Sequence, residues 1–204
     1  MRGTIDLLLF DLGGVLIDLD FSRMYRAWAA HSRLSPDAIE RRFRMDEAYE
    51  RHERGELDAQ GYFAHLRALL ELEASDEEVG FGWNQMFVGL IDETVEALRG
   101  IGPNVRVCAF TNSNRAHERY WRSEYAGALE VFEHIFVSST IRARKPEREA
   151  FEIIARSTGV RADRTLFFDD TPANVEGALA AGLRAVHVNG PDDVKAALRE
   201  AGYA

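Results

Sequence analysis

Residues 5–16 read IDLLLFDLGGVL. An apolar run runs into a carboxylate, Asp11, and then into the pair Gly13-Gly14. A short apolar run closed by turn-forming residues predicts a buried strand followed by a tight turn. The same signature recurs along the chain. Residues 105–110 stop at Thr111-Asn112-Ser113-Asn114, and 165–168 stop at Asp169-Asp170. Residues 134–137 and 184–188 form two further apolar runs. Helical patterns lie between and after them, over about 114–124, 146–158, 172–181 and 191–202. Gly127, Gly159, Gly182 and Gly202 fall where helix C-caps are expected. Alternating strands and helices imply an α/β fold, a Rossmann-like parallel sheet with helices on both faces. In such sheets ligands bind at the carboxyl ends of the strands. The polar clusters at Asp11, Thr111-Asn112 and Asp169-Asp170 all fall at predicted strand ends.

Residues 20–89 differ. They hold no convincing strand and read as four or five helices, near 21–31, 36–50, 58–71 and 76–89. Ser35 before Pro36 is a helix start, with serine as N-cap and proline in the first turn. Ser75 with Glu78 has the spacing of a capping box. Trp28, Phe43, Tyr62, Phe63 and Trp83 recur at roughly helical spacing and are expected to form a core of this segment's own. The chain therefore divides into an α/β core, 1–19 with 90–204, and a helical insertion, 20–89.

Composition narrows the functional classes. Of 204 residues 46% are hydrophobic and 29% charged, the balance of a globular protein. The net charge is −9 and no basic stripe is visible, which argues against nucleic acid as partner. No apolar run approaches the roughly 18–20 residues that span a bilayer, so no membrane partner is expected. The N-terminal run meets Asp11 where a signal peptide would carry a small-residue cleavage site, which favours the cytoplasm. A single cysteine, Cys108, excludes an internal disulfide and reads as a buried small hydrophobe. The six histidines are scattered without the spacing of a zinc site. Lysine occurs only at Lys145 and Lys195.

The strand-end residues carry the chemistry. A carboxylate at Asp11, with two glycines that let a ligand approach the backbone, can attack phosphorus and form an acyl phosphate. A turn-capping aspartate would read the same way. Thr111-Asn112 offers a hydroxyl and amides to phosphate oxygens, although both residues are ordinary in turns. Lys145-Pro146 opens a helix, where an ammonium can neutralise phosphate charge; a surface lysine is the alternative. Asp169-Asp170 places two carboxylates side by side at a buried strand end. They repel unless a cation sits there, and Mg²⁺ is held by carboxylates, phosphate and water. Asn174 falls on the first turn of the following helix.

FDLGGVL at 10–16, FTN at 110–112, RKP at 144–146 and FFDDTPAN at 167–174 together resemble the haloacid dehalogenase superfamily of phosphohydrolases, over nearly the whole chain. The insertion is similar to the helical cap of that superfamily. DLGGVLIDLDF at 11–21, HERGEL at 52–57 and FTNSN at 110–114 further resemble its bacterial α-D-glucose-1-phosphate phosphatase branch. The resemblance implies a Mg²⁺-dependent phosphatase for a phosphorylated small molecule, such as a sugar phosphate. It makes Asp11 the nucleophile and a metal ligand, and gives Gly13 a backbone carbonyl on the metal. Thr111 and Asn112 would bind phosphate, and Lys145 would bridge phosphate and Asp11. Asp170 would ligate the metal directly, and Asp169 through water or as a second ligand.

One position departs from the pattern. Most phosphatases of the superfamily carry a second aspartate two residues after the nucleophile, as general acid and base; here that position is Gly13. A residue of the insertion, His52 or Glu53, can substitute. Water can also do so, or the leaving group can need little help, as the anomeric oxygen of a sugar 1-phosphate does. His52, between two predicted helices, is also a candidate for binding sugar hydroxyls, against the alternative of a solvated loop. Two rivals remain: a dehalogenase, which also lacks the second aspartate but needs no metal, and a catalytically weak phosphate-binding regulator. A phosphonatase needs a lysine in the insertion, which has none. Monomer and homodimer are both open.

Overall fold

The computed structural model describes residues 4–203. Five strands form one parallel sheet: β1 Leu7–Phe10, β4 Arg106–Thr111, β5 His134–Val137, β6 Thr165–Asp169 and β7 Arg184–His187, in the order β5-β4-β1-β6-β7. All four residues of β1 are buried, as a strand covered on both faces requires. Leu7 and Leu9 face one apolar cluster, with Cys108, Phe110, Phe151 and Phe167. Leu8 and Phe10 face the other, with Ala109, Trp121 and Phe168. Phe10 stacks on Phe168 with ring centroids 4.3 Å apart. Helices α6 Asp92–Arg99, α7 Arg115–Glu124, α8 Ala126–Leu129, α9 Ser138–Ile141, α10 Arg148–Thr158, α11 Pro172–Ala180 and α12 Pro191–Ala201 accompany the sheet.

The α/β fold expected from the strand-helix alternation is the one observed. Gly159 and Gly202 close α10 and α12 in the left-handed conformation. Gly127 does not close a helix: α7 ends at Glu124 and Gly127 lies within α8. Helices α6, α8 and α9 were not singled out in the sequence.

Between β1 and β4 the chain makes a second, two-stranded antiparallel sheet, β2 Ile17–Leu19 with β3 Phe87–Leu90. Helices α1 Phe21–Ala29, α2 Pro36–Arg42, α3 Glu47–Glu53, α4 Ala59–Leu70 and α5 Asp76–Asn84 lie between these strands. The expectation of no strand over 20–89 is thus overturned by β3, which is short, contains Gly89, and is specified by its partner β2. The expected helix over 36–50 is two helices. Phe43 takes ψ 133 and ends α2, while the Asp46 side chain accepts from Tyr49 N at 3.0 Å and starts α3. That break turns Phe43 against Trp28, Tyr49 and Trp83. Ser35 and Ser75 cap α2 and α5, the latter as a full capping box. The five expected aromatics are all buried together in this segment.

Candidate active site

Strand order decides which tips meet. β1 lies between β4 and β6, so Asp11, Thr111 and Asp169 emerge side by side at the carboxyl edge. The register pairs Phe10 with Ala109 and with Phe168, which brings Asp11 level with Asp169. Asp11 N donates to Phe168 O at 2.8 Å, and Leu12 N donates to Asp11 Oδ1 at 2.7 Å. The turn after β1 aims the carboxylate without help from a long side chain.

Lys145 closes the centre. Its side chain is 0% exposed, and Nζ lies 2.7 Å from Asp11 Oδ2, 2.6 Å from Asp169 Oδ2 and 3.0 Å from Phe110 O. These contacts use all three ammonium donors. Burial alone would lower the lysine pKa, but Asp11 and Asp169 outweigh it and push it up. Asp169, also 0% exposed, accepts as well from Thr171 N at 2.9 Å and from Asn174 Nδ2 at 3.0 Å. Its oxygens are committed to Lys145 and to the first turn of α11, so it anchors the lysine.

Asp11, Asp169 and Asp170 offer carboxylate oxygens all within 4.8 Å of one another. Burial holds the Asp11 carboxyl well above its usual range, with Lys145 opposing and Asp169 adding to the rise. Asp170 is raised for the same reasons, burial first and then Asp169. Three carboxylates face one ammonium, an excess of negative charge that a divalent cation relieves. An all-oxygen donor set is that of a hard cation such as magnesium. The residues present therefore fit Mg²⁺, with Asp170 the member least occupied by protein donors. Gly14 takes φ +71, and a β-carbon there would fall inside the Asp170 carboxylate; only glycine lets the two meet.

Thr111 is buried at the rim of the same cavity, and its hydroxyl makes no hydrogen bond among the described residues. Asn112 behaves differently from the expectation for a phosphate-binding side chain. Its Nδ2 donates to Lys145 O at 2.9 Å and its Oδ1 accepts from Lys145 N at 2.9 Å. The amide clamps the lysine's backbone, leaving its second Nδ2 hydrogen and the Asn112 main chain for a ligand. Gly13 lines the cavity too.

The cavity holds about 350 Å³. Asp11, Thr111, Lys145 and Asp170 form its polar end, and Leu19, Met86, Phe87 and Trp121 its apolar walls. From the insertion come Met45, Tyr49 and Glu53, facing Arg144 and His117 of the core. Glu53 is 4% exposed, and Arg144 Nε donates to its Oε2 at 2.8 Å. His52 is not brought to this cavity. Its Nδ1 meets Leu57 O at 2.8 Å and its ring stacks on Tyr62, and it borders a separate cleft lined also by Arg115 and Ser139 of the core.

Sequence reasoning gave no role to His117, Tyr49 or Arg144. Trp83 Nε1, which can only donate, reaches His117 Nδ1 at 3.1 Å. That bond places the imidazole proton on Nε2, and burial keeps the ring well below its ordinary pKa and neutral. Nε2 has no partner. A histidine three residues beyond a helix N-cap carries no sequence signal of this kind. Arg144 was visible as the neighbour of Lys145, and Glu53 as part of HERGEL.

An aspartate-lysine pair at the tips of a parallel sheet, beside a carboxylate cluster, points to the class. The chain belongs to the haloacid dehalogenase-like hydrolases, whose family model matches residues 5–182. It is similar to a phosphatase of Mycobacterium tuberculosis, 27% identical over 195 residues, 91% of this chain and 88% of that protein. It is also similar to a D-ribitol-5-phosphate phosphatase of Bacteroides thetaiotaomicron, at 22% identity over 82% of this chain and 84% of that one. A crystal structure of a family enzyme from Bacteroides thetaiotaomicron, in complex with magnesium and inorganic phosphate, shares the fold. Its TM-score is 0.78 at 24% identity, covering 91% of this chain and 95% of that one. Among the described residues no helix is long and apolar enough to cross a membrane.

Proposed function

We propose that the chain is a Mg²⁺-dependent phosphatase that hydrolyses a small phosphate monoester, best a sugar phosphate such as glucose 1-phosphate, through an aspartyl phosphate on Asp11. One observation carries the reading: the 2.7 Å contact of Lys145 Nζ with Asp11 Oδ2, inside a cluster of three carboxylates. The lysine orients the carboxylate and favours its charged form against burial and the neighbouring Asp169, which both favour the neutral one.

Phosphoryl transfer needs positioning and charge neutralisation more than covalent assistance. In this reading an Asp11 oxygen attacks phosphorus in line with the leaving oxygen. The Thr111 hydroxyl and main-chain amides at the tip of β4 bind the phosphoryl oxygens. Bound Mg²⁺, held by Asp11, Asp170 and the Gly13 carbonyl, supplies charge neutralisation of the phosphate. Water then cleaves the acyl phosphate and frees inorganic phosphate. The helical segment 20–89 acts as a cap over this cavity, with Tyr49 and Glu53 its polar contribution.

The surplus of carboxylates supports a metal-using phosphatase over carbon–halogen cleavage, for which paired aspartates have little use. The sequence likeness to the glucose-1-phosphate branch supports a sugar leaving group, and the relative named for D-ribitol 5-phosphate widens the class to polyols. The test is turnover of p-nitrophenyl phosphate with and without Mg²⁺, followed by glucose 1-phosphate and glucose 6-phosphate. Metal-dependent release of nitrophenolate is expected, with the 1-phosphate turned over faster. No release in the presence of metal overturns the phosphatase; equal rates on the two sugars overturn the leaving-group argument.

A further inference from the structure

The site has a nucleophile but no acid at position 13, and the end of the Leu19 side chain lies in the space beside Gly13. A β-carbon on Gly13 would lie 2.8 Å from Leu19 Cδ1. The Leu19 side chain fills that side of the cavity. A proton for the leaving group has to come from elsewhere.

The described residues that line the cavity offer few candidates. Asp11, Asp170 and Lys145 belong to the nucleophile and metal cluster. His117 is neutral with its tautomer set by Trp83, so its Nε2 proton can be donated in a hydrogen bond but is held too tightly to be transferred. The Tyr49 phenol is pushed well up by burial and by Glu53. Glu53 is what remains. Its carboxyl is buried on the insertion side of the cavity. Arg144 donates to Oε2 at 2.8 Å, and Tyr49 is a further side-chain hydrogen-bond partner of the carboxyl. Burial holds the carboxyl above its ordinary range, while Arg144, Tyr49 and Lys145 pull it back.

We propose that Glu53 is the acid and base of this phosphatase, supplied from the helical insertion in place of the missing aspartate. The inference rests on the phosphatase reading above. As Asp11 bonds to phosphorus and the bond from phosphorus to the leaving oxygen breaks, the Glu53 carboxyl gives its proton to that oxygen. The alcohol departs and Glu53 is left as carboxylate. Water then attacks the phosphorus of the aspartyl phosphate. It gives one proton to Glu53, and inorganic phosphate and the Asp11 carboxylate are released. The carboxyl ends as it began, and atoms and charge balance over the cycle. Because the acid sits on the insertion, alcohol release requires that segment to be seated on the sheet.

Two substrates separate this role from a structural one. With p-nitrophenyl phosphate the leaving group needs no proton. Glu53→Gln should then release one equivalent of nitrophenolate per enzyme in a rapid burst, followed by a steady state slowed about 10²-fold or more, the usual worth of general acid–base catalysis. With an alkyl phosphate such as glycerol 2-phosphate, whose leaving group does need a proton, the variant should show no burst and no phosphoenzyme. Glu53→Asp should restore part of both activities. Equal losses on both substrates without a burst would make Glu53 a packing residue and overturn the proposal, as would unchanged rates. A measurement on the unaltered protein decides the matter even if the variants fail to fold. Across substituted phenyl phosphates, kcat/KM should vary little with leaving-group pKa; a steep dependence overturns the proposal. Absence of any Mg²⁺-dependent turnover by the unaltered protein would instead refute the phosphatase reading.

Discussion

Glu53 and Arg144 meet at 2.8 Å although 91 residues separate them. Arg144 immediately precedes Lys145, so this pair ties helix α3 of the insertion to the loop that holds the buried lysine. Arg144 Nη1 also reaches Glu50 at 3.2 Å, and Arg54 Nε donates to Glu147 at 2.9 Å. The two segments are joined by charge across the mouth of the cavity.

The pairs differ in burial, and that difference is testable. The Arg144 and Glu53 side chains are 15% and 5% exposed, whereas Arg54 and Glu147 are more open. Removing Arg144 leaves the buried Glu53 carboxyl without its hydrogen-bond donor, at a cost of about 1–3 kcal/mol, against about 0–1 kcal/mol for a surface pair. Arg144→Met should therefore lower the melting temperature clearly more than Arg54→Met. It should also raise KM for sugar phosphates. Equal melting temperatures for the two variants would show that the Glu53–Arg144 pair carries no special weight.

Asp11→Asn should leave the far-UV circular dichroism of the chain unchanged. Lys145 keeps Asp169 and the Phe110 carbonyl. Turnover of p-nitrophenyl phosphate should fall by about 10³-fold or more, the scale of removing a nucleophile. Near-normal turnover by this variant would eliminate the aspartyl phosphate.

Adjacent glycines should respond differently to alanine. At Gly14, φ +71 and the Asp170 carboxylate both oppose a methyl group. The left-handed conformation alone costs about 1–2 kcal/mol. Displacing Asp170 should weaken Mg²⁺ activation by about 10–100-fold, the usual scale for disturbing a metal site's support. At Gly13 the obstacle is the end of Leu19, which can turn aside, so Gly13→Ala should be the milder change. Titration of activity with Mg²⁺ in the two variants checks the order.

Acid sensitivity should trace to two imidazoles. Burial holds His52 below its ordinary value of 6.5 and His117 well below it. Folded molecules then keep both rings neutral where unfolded chains take up protons. The depressed values have no effect well above pH 6.5 and erode stability as pH falls below it, by up to about 1.4 kcal/mol per pH unit for each ring. His117→Gln should melt at lower temperature at pH 7 and lose less than the parent between pH 7 and 5. Parallel melting curves against pH for the two proteins would exclude this role for His117.

Much of the fold can be read from local pattern, because a buried parallel strand is a continuous apolar run and a helix cap is a short side chain at a fixed offset. Ser35, Ser75 and the runs ending at Phe10 and Phe168 are of that kind. The strand β3 is not. Phe87–Leu90 has no alternation of its own and exists because β2 returns beside it. The break at Phe43 was likewise hidden, since a turn-capping Asp46 inside a helical pattern looks like one more polar residue.

The candidate site divides along the same line. Residue order alone placed Asp11, Thr111 and Asp169-Asp170 at strand ends and marked Lys145 as unusual, because strand-end position is a one-dimensional property. Partnership depends on which strands become neighbours and on what fills the space between them. The order β4-β1-β6 made Asp169 the anchor of Lys145 and Asn112 its backbone clamp. The packing of the insertion turned His52 onto Tyr62 and Glu53 toward the cavity, though the two are adjacent in the chain. Successive residues on a helix point about 100° apart, and only the surface that a helix packs against decides which of them meets a ligand.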